Sequence, residues 1–321
     1  MITIWKQIEN SIRKTAVVEK YAWLVVEEPT DFEIHSLKVD YKIPEDFIQD
    51  ILDPDERPRY EIDNGNKLII FRVPMEVPGQ QPPFQTLPLG VVIQENIIIT
   101  LCGKKLDFLR LVQDAPVKDY SLSRPSSFLL HLVHRSAIHF LRFLKAIQKQ
   151  TAVIEQELQG SVKNNELIKL LFMEKALVYF TTSLRSNELL MEKLQKTIFK
   201  NLSEDDLDLL EDALTENKQA IDMANIHSNI LSGMMDAFAS VISNNLNMVM
   251  KRLTVISITL MIPTLLASLY GMNLDFLPFS THPLAFTGIV GVSLFGSIIG
   301  GFFFARNPRI RKKTGVFTRR V

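Results

Sequence analysis

The sequence predicts an α+β membrane protein. An N-terminal α/β domain is followed by a long stalk helix, which continues into the first of two C-terminal transmembrane helices. Three observations carry this expectation. Residues 253–270 and 284–305 are two uncharged runs near the C-terminus. Proline is absent between Pro125 and Pro263, where the apolar pattern is helical. The first 115 residues instead hold short β-rich runs separated by Pro, Gly and Asn.

The two uncharged runs come first. At about 1.5 Å rise per residue the first reaches roughly 27 Å, close to the hydrocarbon thickness of a bilayer. A buried core helix is the alternative for either run, but two such runs in succession, flanked by charges at their outer ends, argue against it. Lys251 and Arg252 precede the first run, and Arg306, Arg309, Arg311, Lys312, Lys313, Arg319 and Arg320 follow the second. The loop 271–283 has no Lys or Arg. The positive-inside rule therefore places both termini in the cytoplasm, the loop outside, and the protein in the cell membrane as a multi-pass chain. Within the second run, Gly296 and Gly300 have the spacing that permits close helix approach.

These elements divide the chain into a cytoplasmic α/β domain (1–125), a cytoplasmic helical and stalk region (126–252), two transmembrane helices (253–270 and 284–305) and a basic tail (306–321). In the first domain, strands are expected at 21–26, 67–73, 87–93 and 97–101, with turns at 64–66 and 78–83 and a short helix opening at 44–49. A parallel or mixed sheet with flanking helices fits, and strand order is not legible. Helices are expected at 127–160, 163–200 and 204–252. Ser203 with Asp206 resembles a capping box. With no proline to stop it, the third helix runs into the first span, for a length near 100 Å. A single helix of that length buries too little surface to be stable alone, so oligomerisation is expected.

Composition excludes several functions. Formal net charge is zero, with 36 basic and 36 acidic residues, which gives no support to nucleic-acid binding. Charge is nonetheless sorted along the chain. Glu204, Asp205, Asp206, Asp208, Glu211, Asp212, Glu216 and Asp222 face a single Lys218. The one cysteine, Cys102, cannot form an intramolecular disulfide. The first ten residues lack the pattern of a secretory signal. No P-loop, Gly-x-Ser-x-Gly or His-Glu-x-x-His occurs, so an enzyme is not supported. His131, His134 and His139 lie on one expected helix but spread over about 140°, too wide for a compact metal site.

One face of the long helix stands out. At 100° per residue, Met250, Leu253, Ser257, Met261, Thr264, Ser268 and Gly271 fall within about 80°, with Asn247 beside them. Such a stripe suits ordinary helix packing, where small residues are common. The functional alternative is a pore wall, with Met and Leu as apolar constrictions and hydroxyls offering oxygen to a hydrated ion. Pro263 removes one backbone hydrogen bond within the span.

The first span ends in Tyr270-Gly271-Met272-Asn273, and a short loop, a second span and a basic tail follow. This arrangement resembles the CorA family of magnesium transporters, whose signature is Gly-Met-Asn at the outer end of the first of two C-terminal membrane helices. Residues 243–251 and 53–61 are also similar to stretches of the family, so the resemblance spans the chain. It implies a homopentamer in membrane lipid, with the first membrane helix of each subunit lining a central pore for divalent cations. Gly271, Met272 and Asn273 would form the selectivity filter, with the Asn273 carbonyl meeting the hydration shell of Mg2+, which dehydrates reluctantly. Asn247, Met250, Leu253, Met261 and Thr264 match pore positions, and Ser257 and Ser268 lie on the same stripe. Asp236 matches an acidic ring, and Asp212 a carboxylate site through which intracellular Mg2+ closes the pore. The resemblance implies no cofactor beyond transported and regulatory Mg2+. The family often has an acid after Leu277-Pro278, where this chain has Phe279-Ser280-Thr281-His282. The expected function is transport of Mg2+, with Co2+ and Ni2+ as further cargo. A Zn2+ transporter of the same build and a non-conducting membrane-anchored sensor or scaffold are the alternatives.

Overall fold

The computed structural model describes residues 1–9, 11–114, 121–160, 164–199, 202–272 and 283–305. The chain forms two compact units, Met1–Asp236 and Ala237–Val321.

The first unit is built on a seven-stranded mixed sheet. Its strands are β1 (Ile2–Ile8), β2 (Ser11–Thr15), β3 (Ala22–Glu27), β4 (Arg59–Asp63), β5 (Asn66–Glu76), β6 (Phe84–Ile93) and β7 (Ile97–Cys102), in the order β2-β1-β3-β7-β6-β5-β4. The β3–β7 pair is parallel and the other neighbours are antiparallel. β3 reads as a continuous apolar run because both its faces are covered, as expected for a parallel strand. Ala22, Leu24 and Val26 point to one side, where they meet Leu37 of α1 (Asp31–Val39) and Phe47, Ile48 and Ile51 of α2 (Glu45–Leu52). Trp23 and Val25 point to the other. There they join Phe108 and Leu109 of α3 (Asp107–Gln113), Phe128 and Leu132 of α4 (Pro125–Gly160), Leu190 and Leu194 of α5 (Asn164–Thr197), and Leu210 and Ala213 of α6 (Glu204–Tyr270).

The four strands expected from β-rich runs are present. The structure adds β1, β2 and β4, which carry charged or half-exposed side chains and lack an apolar run. β4 and β5 meet through Asn64 and Gly65, both at positive φ (48° and 81°), the backbone that a tight two-residue hairpin demands. α1 was also unexpected, although Thr30-x-x-Glu33 is a capping-box sequence: Glu33 N donates to Thr30 Oγ1 at 3.3 Å, and Thr30 N to Glu33 Oε2 at 2.9 Å. α2 packs closely on β6. A Cβ built on Gly90 would lie 2.2 Å from Ile51 Cδ1, so only glycine fits there.

Two polar nodes join the layers. Arg72 of β5 donates to the carbonyls of Glu56 (2.7 Å), Pro54 (2.9 Å) and Thr86 (2.8 Å), fixing the 53–61 stretch noted in the sequence. Arg59 in that stretch pairs with Asp50 and Glu56, and with Glu61 at 3.3 Å. The second node is Asp206, buried at the start of α6. Its backbone N–H donates to Ser203 Oγ at 3.3 Å, as the expected cap requires. Its carboxylate accepts from Ser203 (2.8 Å), Ser127 (2.7 Å) and Arg124 (3.2 Å), tying α4 to α6.

The second unit contains the end of α6 and α7 (Ala285–Ala305). α6 is one helix of 67 residues, interrupted neither at the expected stalk end nor at Pro263. Among the described residues α6 is the helix long and apolar enough to cross a membrane, and Phe286–Phe302 is a shorter apolar stretch. Gly296, Gly300 and Gly301 of α7 lie against α6, whereas Gly288 and Gly291 face open space. A Cβ on Gly296 would come within 3.2 Å of Ile262 Cγ2, and one on Gly300 within 3.4 Å of Ile262 Cδ1. Small residues thus let the two backbones approach.

Candidate ion-conducting face and stalk carboxylates

The α6 stripe can be located residue by residue. Asn247, Met250, Leu253, Ser257, Met261, Thr264 and Ser268 are all exposed on the chain, as are Gly271 and Met272 after the helix. Met250, Leu253 and Met261 are 54%, 57% and 68% exposed, high values for apolar side chains. The contacts with α7 use other positions, Thr259 and Ile262. The stripe is therefore not the face that packs α6 on α7.

The hydroxyls on this helix have a common arrangement. Ser257 Oγ donates to Leu253 O at 2.9 Å, and Thr264 Oγ1 to Leu260 O at 2.8 Å. Each proton is used inside the helix, which leaves the oxygen lone pairs as acceptors. Water bound to a cation turns its hydrogens outward, so acceptors are the chemistry that such a hydrated ion needs. Gly271 N donates to Ala267 O at 2.9 Å and closes the helix. A Cβ there would approach that carbonyl to 3.1 Å. Asn273, the filter residue expected from the resemblance, lies outside the described residues, as do Asp275 and His282.

The stalk carboxylates occupy separate places on α6. Asp236 is exposed near the end of the first unit. Asp212 is 24 residues earlier, about 36 Å along the helix, so the two cannot share one ion. Asp212 lines a cleft of ≈ 540 Å³ with Asp205 and Asp208 of α6, His131, His134 and Arg135 of α4, and Arg124 just before α4. His134 is driven below its usual pKa chiefly by burial, against the pull of Asp212 and Glu216, with Arg135 adding to the lowering. His131 is pushed to about 3 by burial, with Arg135 and His134 adding to the effect. Both rings are therefore neutral at neutral pH. His139 faces a different cavity, with Glu76, Asp107, Arg110, Asp114 and Arg142. The three histidines thus divide between two places, and among the described residues no three His, Cys, Asp or Glu side chains converge to hold a metal. The approach of His134 to Asp212 was not visible in the sequence, because the pair belongs to different helices and no local spacing relates them. Cys102 is buried, and burial raises its thiol pKa to about 12, which makes it inert.

Comparison with known proteins adds the family. Residues 18–306 match the sequence pattern of the family described as CorA-like Mg2+ transporter protein. The chain is 27% identical over 289 residues to the cobalt/magnesium transport protein CorA of Methanocaldococcus jannaschii, covering 89% of this chain and 90% of that protein. The fold is similar to the complete structure of the CorA magnesium transporter from the same organism, with a TM-score of 0.77 at 23% identity, over 96% of this chain and 98% of that one. It is also similar to the ZntB cytoplasmic domain from Vibrio parahaemolyticus, with a TM-score of 0.55 at 13% identity, over 76% of this chain and 97% of that domain. A long helix behind an N-terminal α/β domain, with a hydroxyl-bearing exposed face and a close-packed glycine helix beside it, defines a fold of the two-helix metal-ion transport class. The chain belongs to the CorA-like Mg2+ transporter family.

Proposed function

We propose that this chain is the subunit of a pentameric membrane channel that passes Mg2+, and with it Co2+ and Ni2+, down their electrochemical gradients. The observation that carries the reading is the exposed stripe on α6 from Met250 to Ser268, whose hydroxyl oxygens are all presented as acceptors where their hydrogen bonds are known. An uncharged helix end with large exposed apolar side chains needs lipid on one side and sister subunits on the other. In a five-fold ring the stripe faces the axis. Met250, Leu253 and Met261 then form apolar constrictions, and Ser257, Thr264 and Ser268 receive the waters of the ion. Asn247 lines the inner end, and Gly271, Met272 and Asn273 form the outer filter. The Asn273 amide holds the hydrated ion through its water shell, loosely enough to release it inward. Both helices span the cell membrane, with residues 1–252 and the basic tail in the cytoplasm.

Gating follows from the stalk. Asp236 supplies an acidic ring, and Asp212 belongs to the site through which intracellular Mg2+ closes the pore. Neutralising these carboxylates with a divalent ion lets the five stalks approach, and losing the ion lets their charges repel. Mg2+ is cargo and regulator in this scheme, and no resident cofactor and no enzymatic step take part. The ZntB likeness is one of fold alone and gives no reason to prefer Zn2+.

The test is ion flux into liposomes holding purified protein and a Mg2+- or Zn2+-sensitive dye. Wild type should pass Mg2+, and Asn273→Ala should lose selective flux while remaining an assembled pentamer by native mass spectrometry. Mg2+ selectivity kept by the variant would refute the filter assignment. Flux of Zn2+ alone would move the chain to the zinc reading, and no flux of either ion from intact oligomers would favour a sensor or scaffold.

A further inference from the structure

The antiparallel contact of α7 with α6 fixes a common depth at one end of the second unit. Gly296 lies against Ile262, and Gly301 against Thr259, where an added Cβ would stand 3.6 Å from Thr259 Oγ1. Lys251 and Arg252 precede Thr259 by eight and seven residues, about 10–12 Å of helical rise. On the same side, α7 ends at Ala305, about 6 Å past Gly301, and Arg306 follows at once. The basic pair of α6 and the root of the basic tail therefore lie at one level, within a helical turn of each other.

That level carries one sign of charge. Residues 237–321 hold nine Lys and Arg, all in this pair and the tail, against a single acid, Asp275, in the loop between the two uncharged runs. Lys251 and Arg252 are exposed, and neither forms an ion pair among the described residues. The nearest acid along α6 is Asp236, about 22 Å of helical rise away, well beyond the screening length of about 8 Å in physiological salt. The carboxylates of α6 thus leave this pair unneutralised.

What borders the charge selects the partner. Ile256, Leu260 and Phe302, one to two helical turns toward the loop, are 56%, 63% and 59% exposed. A band of large exposed apolar side chains edged by cations matches an amphiphile, with acyl chains on the band and a negative headgroup at its edge. A free anion or a nucleic acid would use the cations and leave the band uncovered. Phosphate diester oxygens suit this set, because guanidinium groups grip phosphate through paired N–H donors.

We propose that Lys251, Arg252 and the tail cations from Arg306 to Arg320 form a basic collar that binds the headgroups of anionic phospholipids. The assignment rests on the reading of residues 253–270 and 284–305 as membrane spans with the tail on the cytoplasmic side. Lys251 and Arg252 adjoin Met250 and Leu253, so lipid held there anchors the inner end of the exposed stripe.

The test is native mass spectrometry of the purified full-length oligomer in neutral detergent, with phosphatidylglycerol and phosphatidylcholine competing at equal concentration. Wild type should retain phosphatidylglycerol about tenfold or more over phosphatidylcholine, and added salt should erode the preference. Joint Lys251→Gln and Arg252→Gln should weaken phosphatidylglycerol binding severalfold, since each cation near the surface is worth about fivefold. Arg309→Gln, Arg311→Gln, Lys312→Gln and Lys313→Gln together should weaken it further, and the combined variant should lose the preference. Joint Lys104→Gln and Lys105→Gln, in the first unit, should keep it. Equal retention of the two lipids by wild type would overturn the proposal, as would a preference unchanged in the combined variant. Inorganic phosphate that displaces more lipid than chloride of the same ionic strength would reassign the cations to a free anion. If the combined variant does not assemble, the salt series on wild type decides, because a preference indifferent to salt would refute a collar built on charge. A chain recovered without detergent would refute the membrane reading and this one with it, whereas a detergent-bound oligomer with no headgroup preference refutes the collar alone.

Discussion

Ser297 of α7 donates its hydroxyl proton to the carbonyl of Thr259 in α6 at 3.1 Å. That carbonyl is the acceptor which residue 263 would have served in a regular helix, and residue 263 is a proline with no N–H. The neighbouring helix thus completes the bond that the proline removes, which is how membrane helices tolerate proline. The contact lies beside Gly296 and Gly300, whose missing side chains bring α7 close enough for it.

Ser297→Ala should destabilise the α6–α7 contact by about 1 kcal/mol, the usual worth of a hydrogen bond between membrane helices. Pro263→Ala restores an N–H to the Thr259 carbonyl, so the serine should matter less in that background. Thermal unfolding of the four proteins of this cycle in detergent gives the coupling. Additive effects of the two substitutions would show that the serine does not compensate for the proline.

Gly90→Val should destabilise the first unit by about 1–3 kcal/mol, because the new side chain overlaps Ile51. Ile51→Ala loses packing alone, yet combined with Gly90→Val it should cost less than the sum of the two. Denaturant unfolding checks both, and strict additivity would argue against the contact.

Stability should depend on pH through His139. Its ring is 7% exposed and sits against Phe143 (4.8 Å) and Phe108 (5.8 Å). Burial, with help from Arg142 and against Asp107, lowers its pKa from 6.5 to about 4. Between those values the unfolded chain binds more protons than the folded one. Stability from this residue is thus full above pH 6.5, falls as pH drops to about 4, and levels off below. The loss is about 3 kcal/mol. His139→Phe should flatten the melting-temperature profile between pH 6.5 and 4, leaving the parts due to His131, His134 and His227, whose pKa values burial also lowers. An unchanged slope would contradict the assignment.

Thr264→Val keeps shape and removes an acceptor from the α6 stripe. On the pore reading it should reduce Mg2+ flux severalfold without lowering the melting temperature, since the hydroxyl bonds only its own helix. Full flux through the Thr264→Val variant would mean that Thr264 does not meet the ion's waters.

Legibility in the sequence followed local pattern. β3, β5, β6 and β7 were readable as dense apolar runs because each is buried in the sheet. β1, β2 and β4 were not, since half-exposed strands are stabilised by a partner that the local sequence does not name. The stripe on α6 was readable because a straight helix converts spacing into a face. Whether it packs against α7 was not. That was decided by Gly296, Gly300 and Ser297, which direct α7 to Thr259 and Ile262 instead.

From sequence alone came the two-part chain, the uncharged C-terminal runs, the long proline-free helix and the Gly-Met-Asn resemblance, because charge, periodicity and short motifs are properties of neighbours along the chain. Tertiary structure decided what touches across it. Asp206 became a buried node with Ser127 and Arg124, and Asp212 came beside His134. Thr151 and His227 came to line one small cavity. Each of these pairs lies more than seventy residues apart, and only the packing of α4 against α6 creates them.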